Sequence, residues 1–79
     1  MEIIVEDFDE ITQQVYVRAE GRCRITSKMY KTKNFSLDGY EQWKKGGLIQ
    51  NVIPELNAND REFLMTQTSP EGWEKMMPK

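Results

Sequence analysis

Cys23 is the one soft nucleophile in the sequence, and it stands between two guanidinium groups in Arg22-Cys23-Arg24. Neighbouring cations lower a thiol's pKa and raise the thiolate fraction that attacks electrophiles or binds metals. Alternation along an extended chain argues the other way. It sets Cys23 on one face with Ile25, Ser27 and Met29 and both arginines on the opposite face, the setting of a buried structural cysteine. The acidic pairs Glu6-Asp7 and Asp9-Glu10 offer no better chemistry. Adjacent side chains on an extended chain point apart, and no third oxygen donor stands at ligand spacing, so these read as solvated acids. Histidine is absent, which removes a histidine base, any Ser-His-Asp or Cys-His nucleophile and every His-bound metal. A single cysteine closes no internal disulfide and no multi-cysteine zinc or iron–sulfur site. Gly46-Gly47 lacks the glycine-to-lysine spacing of a phosphate loop, and Lys44 and Lys45 before it suit a helix C-terminus. The expectation is a non-enzymatic protein with no catalytic, cofactor-binding or metal-binding residues.

Binding chemistry is better represented. Tyr16, Arg18, Arg22, Arg24, Lys28 and Tyr30 fall together on one side of two alternating segments. Rings that stack on bases and cations that meet phosphates are what single-strand binders use. The charges admit a second reading. Residues 1–15 carry a net −5, residues 16–35 a net +5 and residues 36–79 a net −2. An acidic strand beside a basic hairpin neutralises it internally, each cross-strand pair contributing ~0.2–1 kcal/mol. The whole-chain charge of −2 and pI of about 5.1 favour that internal pairing over a dedicated nucleic-acid binder. Met65, Met76 and Met77 form the other candidate, a C-terminal docking surface, since methionine adapts to irregular partners. The same residues also serve as gap-fillers in a small core.

The elements that must position these groups follow from 79 residues, enough for a single domain over 1–79. Residues 1–35 read as a β-meander. Glu2 to Val5 is β-branched, Asp7 to Gln13 loops back with Phe8 and Ile11 inward, and Gln14 to Ala19 alternates with Val15, Val17 and Ala19 on the core face. Glu20-Gly21 is the turn signal, and Arg22 to Thr32 alternates again. Residues 36–79 read as short helices. Ser36 caps a helix through Lys45 that carries Leu37, Tyr40 and Trp43 on one face, and Gly46-Gly47 ends it. Leu48, Ile49, Val52 and Ile53 make one apolar turn stopped by Pro54. Asn57 caps Ala58 to about Gln67, with Phe63 and Leu64 inward. Thr68-Ser69-Pro70-Glu71 opens a last helix that carries Trp73, Met76 and Met77 and stops at Pro78. The expected fold is α+β: an antiparallel meander of about three strands with two or three short helices on one face, burying Trp43 and Trp73.

The wording of the second half resembles a family of small bacteriophage- or prophage-encoded proteins of unassigned function. The residues that carry the resemblance are Trp43-x-x-Gly46-x-Leu48-Ile49-Gln50-x-x-x-Pro54-x-Leu56, then Asp60-Arg61-Glu62-Phe63-Leu64-Met65-Thr66, then Ser69-Pro70-x-x-Trp73. It covers residues 36–77 and implies a phage origin and a compact scaffold, not a mechanism. Most of those residues are apolar or cap-forming, so the pattern describes a fold rather than an active site. The first residues are acidic and no run approaches the ~20 apolar residues of a spanning helix, so neither a leader nor a membrane is expected. These readings converge on an accessory protein in the host-cell cytoplasm that binds and modulates a host or phage protein. A nucleic-acid-binding module working through residues 16–33 is the alternative.

Overall fold

A computed structural model describes residues 1–77 of the chain. Strands β1 (Glu2–Asp9), β2 (Gln14–Arg22), β3 (Met29–Lys31) and β4 (Phe35–Ser36) precede helices α1 (Leu37–Lys44), α2 (Ile49–Val52), α3 (Ala58–Thr66) and α4 (Pro70–Met76). The fold is α+β, with an antiparallel sheet followed by short helices. β2 is its spine. One edge of β2 pairs with β1, and the other pairs with β3 through Glu20–Arg22 and with β4 through Tyr16 and Val17. Between β3 and β4, the Thr32 hydroxyl accepts the Ala19 N–H at 2.9 Å and the Thr32 N–H returns to the Ala19 carbonyl, also at 2.9 Å. Thr32 thus bridges two short strands into one interrupted edge.

Local chemistry places the helices as the sequence predicts. Ser36, Asn57 and Ser69 each sit in extended backbone and accept the N–H of the residue three positions on, which satisfies a donor that no helix carbonyl can reach. Gly46 takes a φ of +111° after α1, a conformation open to glycine. Gln67 closes α3 in the left-handed region at φ +58°. From there its amide Nε2 donates to the Arg22 carbonyl at 2.9 Å and its carbonyl accepts the Arg24 N–H at 3.0 Å. The helix end and the end of β2 are pinned together. The predicted stop at Pro78 lies outside the described residues.

The core lies between the helices and the face of β2 that carries Val17 and Ala19. Those residues pack with Phe35, Ile49, Ile53, Leu56 and Leu64. A smaller centre joins α3 and α4 to the β2–β3 turn, where Phe63 is fully buried and the Tyr30 ring lies 4.8 Å from it.

Five expectations about the strands and core are corrected. β1 runs on to Asp9, and the reversal falls at residues 10–13, helped by Asp9 Oδ1 accepting the N–H groups of Ile11 and Thr12. Phe8 and Ile11 are exposed rather than buried in the core. Glu20-Gly21 is no turn: Gly21 is buried mid-strand, where a side chain's Cβ would come within 3.0 Å of the Met1 backbone. The chain reverses over Cys23–Lys28 instead, with Ser27 at φ +61°. That turn changes the parity of β3. Tyr30 pairs with Gly21 on the core face and Met29 is exposed, the reverse of strict alternation through residue 32. Trp43 and Trp73 are half-buried, not buried. Trp43 lies at the margin of the core, its ring 6.0 Å from Tyr40 with the Lys44 ammonium 4.9 Å above it.

Candidate functional site

The six residues of the predicted basic face are divided between two sides of the molecule. Tyr16, Arg18 and Arg22 stay on the outer face of β2 with Glu20. Arg18 is held there by Glu6 of the acidic first strand and by Glu20, whose carboxylate accepts its Nη1 at 2.7 Å. The Arg18 side chain keeps only 22% of its exposure. Arg22 donates to the Ser27 carbonyl at 2.9 Å. The other three turn toward the helices. Arg24 Nε donates to the buried Thr68 hydroxyl at 2.8 Å, Lys28 pairs with Glu71 of α4 at 3.0 Å, and the Tyr30 hydroxyl donates to Asp60 of α3 at 2.5 Å. The Lys28–Glu71 pair is exposed and contributes little.

Asp60 is a buried carboxylate whose sequence context suggested only a helix-opening residue. It is 3% exposed, and besides Tyr30 it accepts the Lys33 N–H at 2.9 Å, the amide left free where β3 breaks off. Burial, then the hydrogen bond and charge of Asp60, all push the Tyr30 phenol far above its usual value. Both groups serve structure: the Tyr30 hydroxyl is spent on Asp60, and Asp60 on Tyr30 and the Lys33 backbone N–H.

Cys23 is 1% exposed. Its burial pushes the thiol up, but hydrogen bonds from the Ser69 side chain and backbone and from the N–H groups of Thr26 and Ile25 outweigh it and hold the pKa at about 6. The Ser69 and Ile25 nitrogens lie 3.3 and 3.4 Å from the sulfur. The thiol is activated and shielded at once, tucked where a Cβ on Gly72 would come within 2.7 Å. Among the described residues no group of three or more His, Cys, Asp or Glu is placed to hold a metal ion, and no helix is long and apolar enough to cross a membrane.

Met65, Met76 and Met77 are all solvent-exposed, on α3 and at the end of α4. A second apolar surface was missed. β1 pairs Phe8 with Val15, Val5 with Val17 and Ile3 with Ala19, so Ile3, Val5 and Phe8 lie on the core side of the sheet. The core cover reaches Ile3 but not the rest of this face of β1, which leaves Val5 66% and Phe8 52% exposed, with Ile11 95% exposed at the tip. Beside them is a hollow of about 250 Å³ lined by Gln13, Gln14, Val15, Leu37, Asp38 and Glu41. Val15 and Leu37 are the apolar part of its lining, and α1 contributes the acidic Asp38 and Glu41.

No protein-family model matches the chain, and no curated protein or solved structure matches it significantly. The site must therefore be judged by its own geometry. One signal in the sequence pointed to the hairpin surface: fifteen residues with five acids and no base that still contain Val5, Phe8 and Ile11. What hid it was the assumption that an apolar residue beside a small core belongs inside it.

Proposed function

We propose that this is a non-enzymatic binding protein that acts by contact with another protein. The observation that carries the reading is the fate of the cations. Arg18 is engaged by two carboxylates and Arg24 by the buried Thr68 hydroxyl, Lys28 is paired with Glu71 only at the surface, and the Tyr30 ring that would stack on a base is committed to Phe63 and Asp60. A phosphate backbone entering this region would have to displace those partners, and the molecule's net charge of −2 repels it. Exposed apolar groups on the hairpin and on the methionine surface are the chemistry left facing outward. The accessory role, in which a host or phage protein is bound and modulated in the host cytoplasm, belongs to this proposal and rests only on the resemblance of residues 36–77 to small phage-encoded proteins.

The test is titration with single-stranded oligonucleotides over a range of salt, beside capture from lysate with and without nuclease. We expect no measurable oligonucleotide affinity at physiological salt and a captured protein that survives nuclease. Micromolar oligonucleotide binding would count against the reading if it fell by roughly 0.7 log units per log unit of salt for each neutralised phosphate and vanished when Arg18, Arg24 and Lys28 became Glu. It would put nucleic-acid binding through residues 16–33 in its place.

A further inference from the structure

We infer that the uncovered core-side face of the β1–β2 hairpin, with the acidic wall of α1 beside it, is a docking site for a cationic amphipathic helix of another protein. The inference rests on the protein-binding reading above and adds the place and the chemistry of the partner.

Three observations meet at this surface. The first is that a core face continues without its cover. Along β2 the helical layer buries Val17 and Ala19; of their partners in the next strand, Ile3 is half-buried against the core, while Val5 is left 66% exposed. Toward the tip Phe8 pairs with Val15, which is only half-buried. An added helix lying about 10 Å above these two strands extends the existing layer instead of creating a new kind of contact.

The second observation is the shape. The hollow between residues 13–15 and α1 has Val15 and Leu37 as the apolar part of its lining. A bulky apolar side chain from the partner fits that hollow while its neighbours rest on Val5 and Phe8. Ile11, almost wholly exposed at the tip, extends the apolar strip to the end of the hairpin. An isolated exposed apolar residue needs no explanation, but Val5 and Phe8 share one sheet face with Val15 of the hollow.

The third observation selects the partner. Asp38 and Glu41 form the wall of the hollow, Glu10 stands at the tip, and residues 1–15 hold no Lys or Arg. The nearest cation of α1, Lys44, lies over the Tyr40 and Trp43 rings at its other end. Lys or Arg flanking an apolar stripe satisfies this rim. A second copy of the chain brings the same acids, and paired hairpins (residues 2–22, six acids and two bases) would oppose −4 with −4. Nucleic acid and anionic membranes are repelled for the same reason.

The probe is a synthetic helix of about 18 residues, some five turns, with leucines on one stripe and lysines along its flanks. Two controls accompany it, the same peptide with Glu for every Lys and a scrambled peptide of equal charge. Amide chemical shifts of the isotope-labelled full chain report where each binds. We expect the lysine helix to shift residues 5–15 and the first turn of α1, and to bind at least about tenfold more tightly than either control. Val5→Thr with Phe8→Ser should weaken it by about tenfold or more, and Asp38→Asn with Glu41→Gln several-fold with a flatter salt dependence. These side chains are exposed or at the rim, and slow labelling of Cys23 verifies that each variant is folded. Three results overturn the inference: equal binding of the scrambled peptide, shifts centred on Met65, Met76 and Met77, or a dimer in sedimentation that Phe8→Ser dissolves. If lysate capture persists while the hairpin variants leave it unchanged, the protein-binding reading stands and the site is elsewhere. If oligonucleotide binding replaces it, both fall.

Discussion

Tyr30 and Lys33, three residues apart, meet the sequence-distant Asp60 in one hydrogen-bonded cluster. Asp60→Ala deletes the acceptor of a half-buried hydroxyl and of a strand-end amide, and should cost about 2–4 kcal/mol. Asp60→Asn keeps one acceptor oxygen and should cost markedly less, so the gap between the two urea midpoints measures the network rather than the volume lost. The pH response has a definite sign. Tyr30 in the fold stays protonated above the ordinary value of 10.0, at which the tyrosine of an unfolded chain is half ionised. Its contribution is therefore whole below pH 10.0 and is lost as pH rises toward the higher folded value. The stability advantage of wild type over Tyr30→Phe should shrink above that pH; an advantage that stays constant or grows there contradicts the assigned hydrogen bond. Cys23 poses a different question, because a thiol held at about 6 would react quickly if a reagent could reach it. With 1% exposure it reacts only when the turn opens. A thiol reagent should modify the native protein slowly and the urea-unfolded chain at least about a hundredfold faster. Gly72→Ala, which drives a methyl group against the sulfur, should speed native labelling. Fast labelling of the unaltered protein would place the sulfur at the surface.

Helix α1 shows how an element is fixed by what crosses it. A Cβ on Gly39 would come within 2.3 Å of the Val52 carbonyl oxygen, so the end of α2 rests directly on the α1 backbone. Helix propensity alone favours Ala over Gly by about 1 kcal/mol. The clash should reverse that sign, and Gly39→Ala is expected to lose about 2 kcal/mol in urea unfolding. Gly46→Ala is the contrast: nothing lies within 4 Å of its added Cβ, and only the φ of +111° resists. It should lose about 1 kcal/mol, and near-equal losses at the two positions would mean that α1 and α2 are not in contact. The same distinction decides what was legible beforehand. The caps at Ser36, Asn57 and Ser69 act on amides three residues away, so a reader of the sequence holds both partners. The inward turn of Tyr30 depends on Asp60, thirty positions on, and on Ser27 adopting a left-handed conformation that a serine rarely announces. Alternation could not register that change of parity. The half-burial of Trp43 and Trp73 was out of reach for a related reason: helical spacing says which face of a helix is apolar, not how far the neighbouring layer extends over it. The hairpin surface failed the same way, for its residues were recognised as apolar and assigned a cover that the helices do not provide.

At the scale of the molecule, cover is uneven, and stability should follow it. The chain is elongated, 49 × 23 × 18 Å along its principal axes. β2 is bonded along both edges near Val17 and again around Glu20, with helices across its core face. Opening its amides there means breaking both pairings and exposing Phe35, Ile53 and Leu56, which is close to unfolding everything. The hairpin end is different. β1 is an edge strand paired only with β2, its register shifts between Val5 and Asp7, and beyond that irregularity the residues from Asp7 to Gln14 bury little apolar surface. Free energies of local opening track such losses, running from near zero at frayed ends to the global value in a core strand. Native-state hydrogen exchange should thus divide the sheet. Amides of β2 between Val17 and Gly21 should exchange through an opening whose urea dependence equals that of global unfolding. Amides between Asp7 and Gln14 should exchange at least about a hundredfold faster and with almost no urea dependence. A charged helix bound to the hairpin supplies the missing cover, so it should slow the second group selectively, because binding the closed form raises its opening free energy. Uniform protection along β1 in the free protein would show that the hairpin is already held by something other than β2, and would leave no role there for a partner's cover.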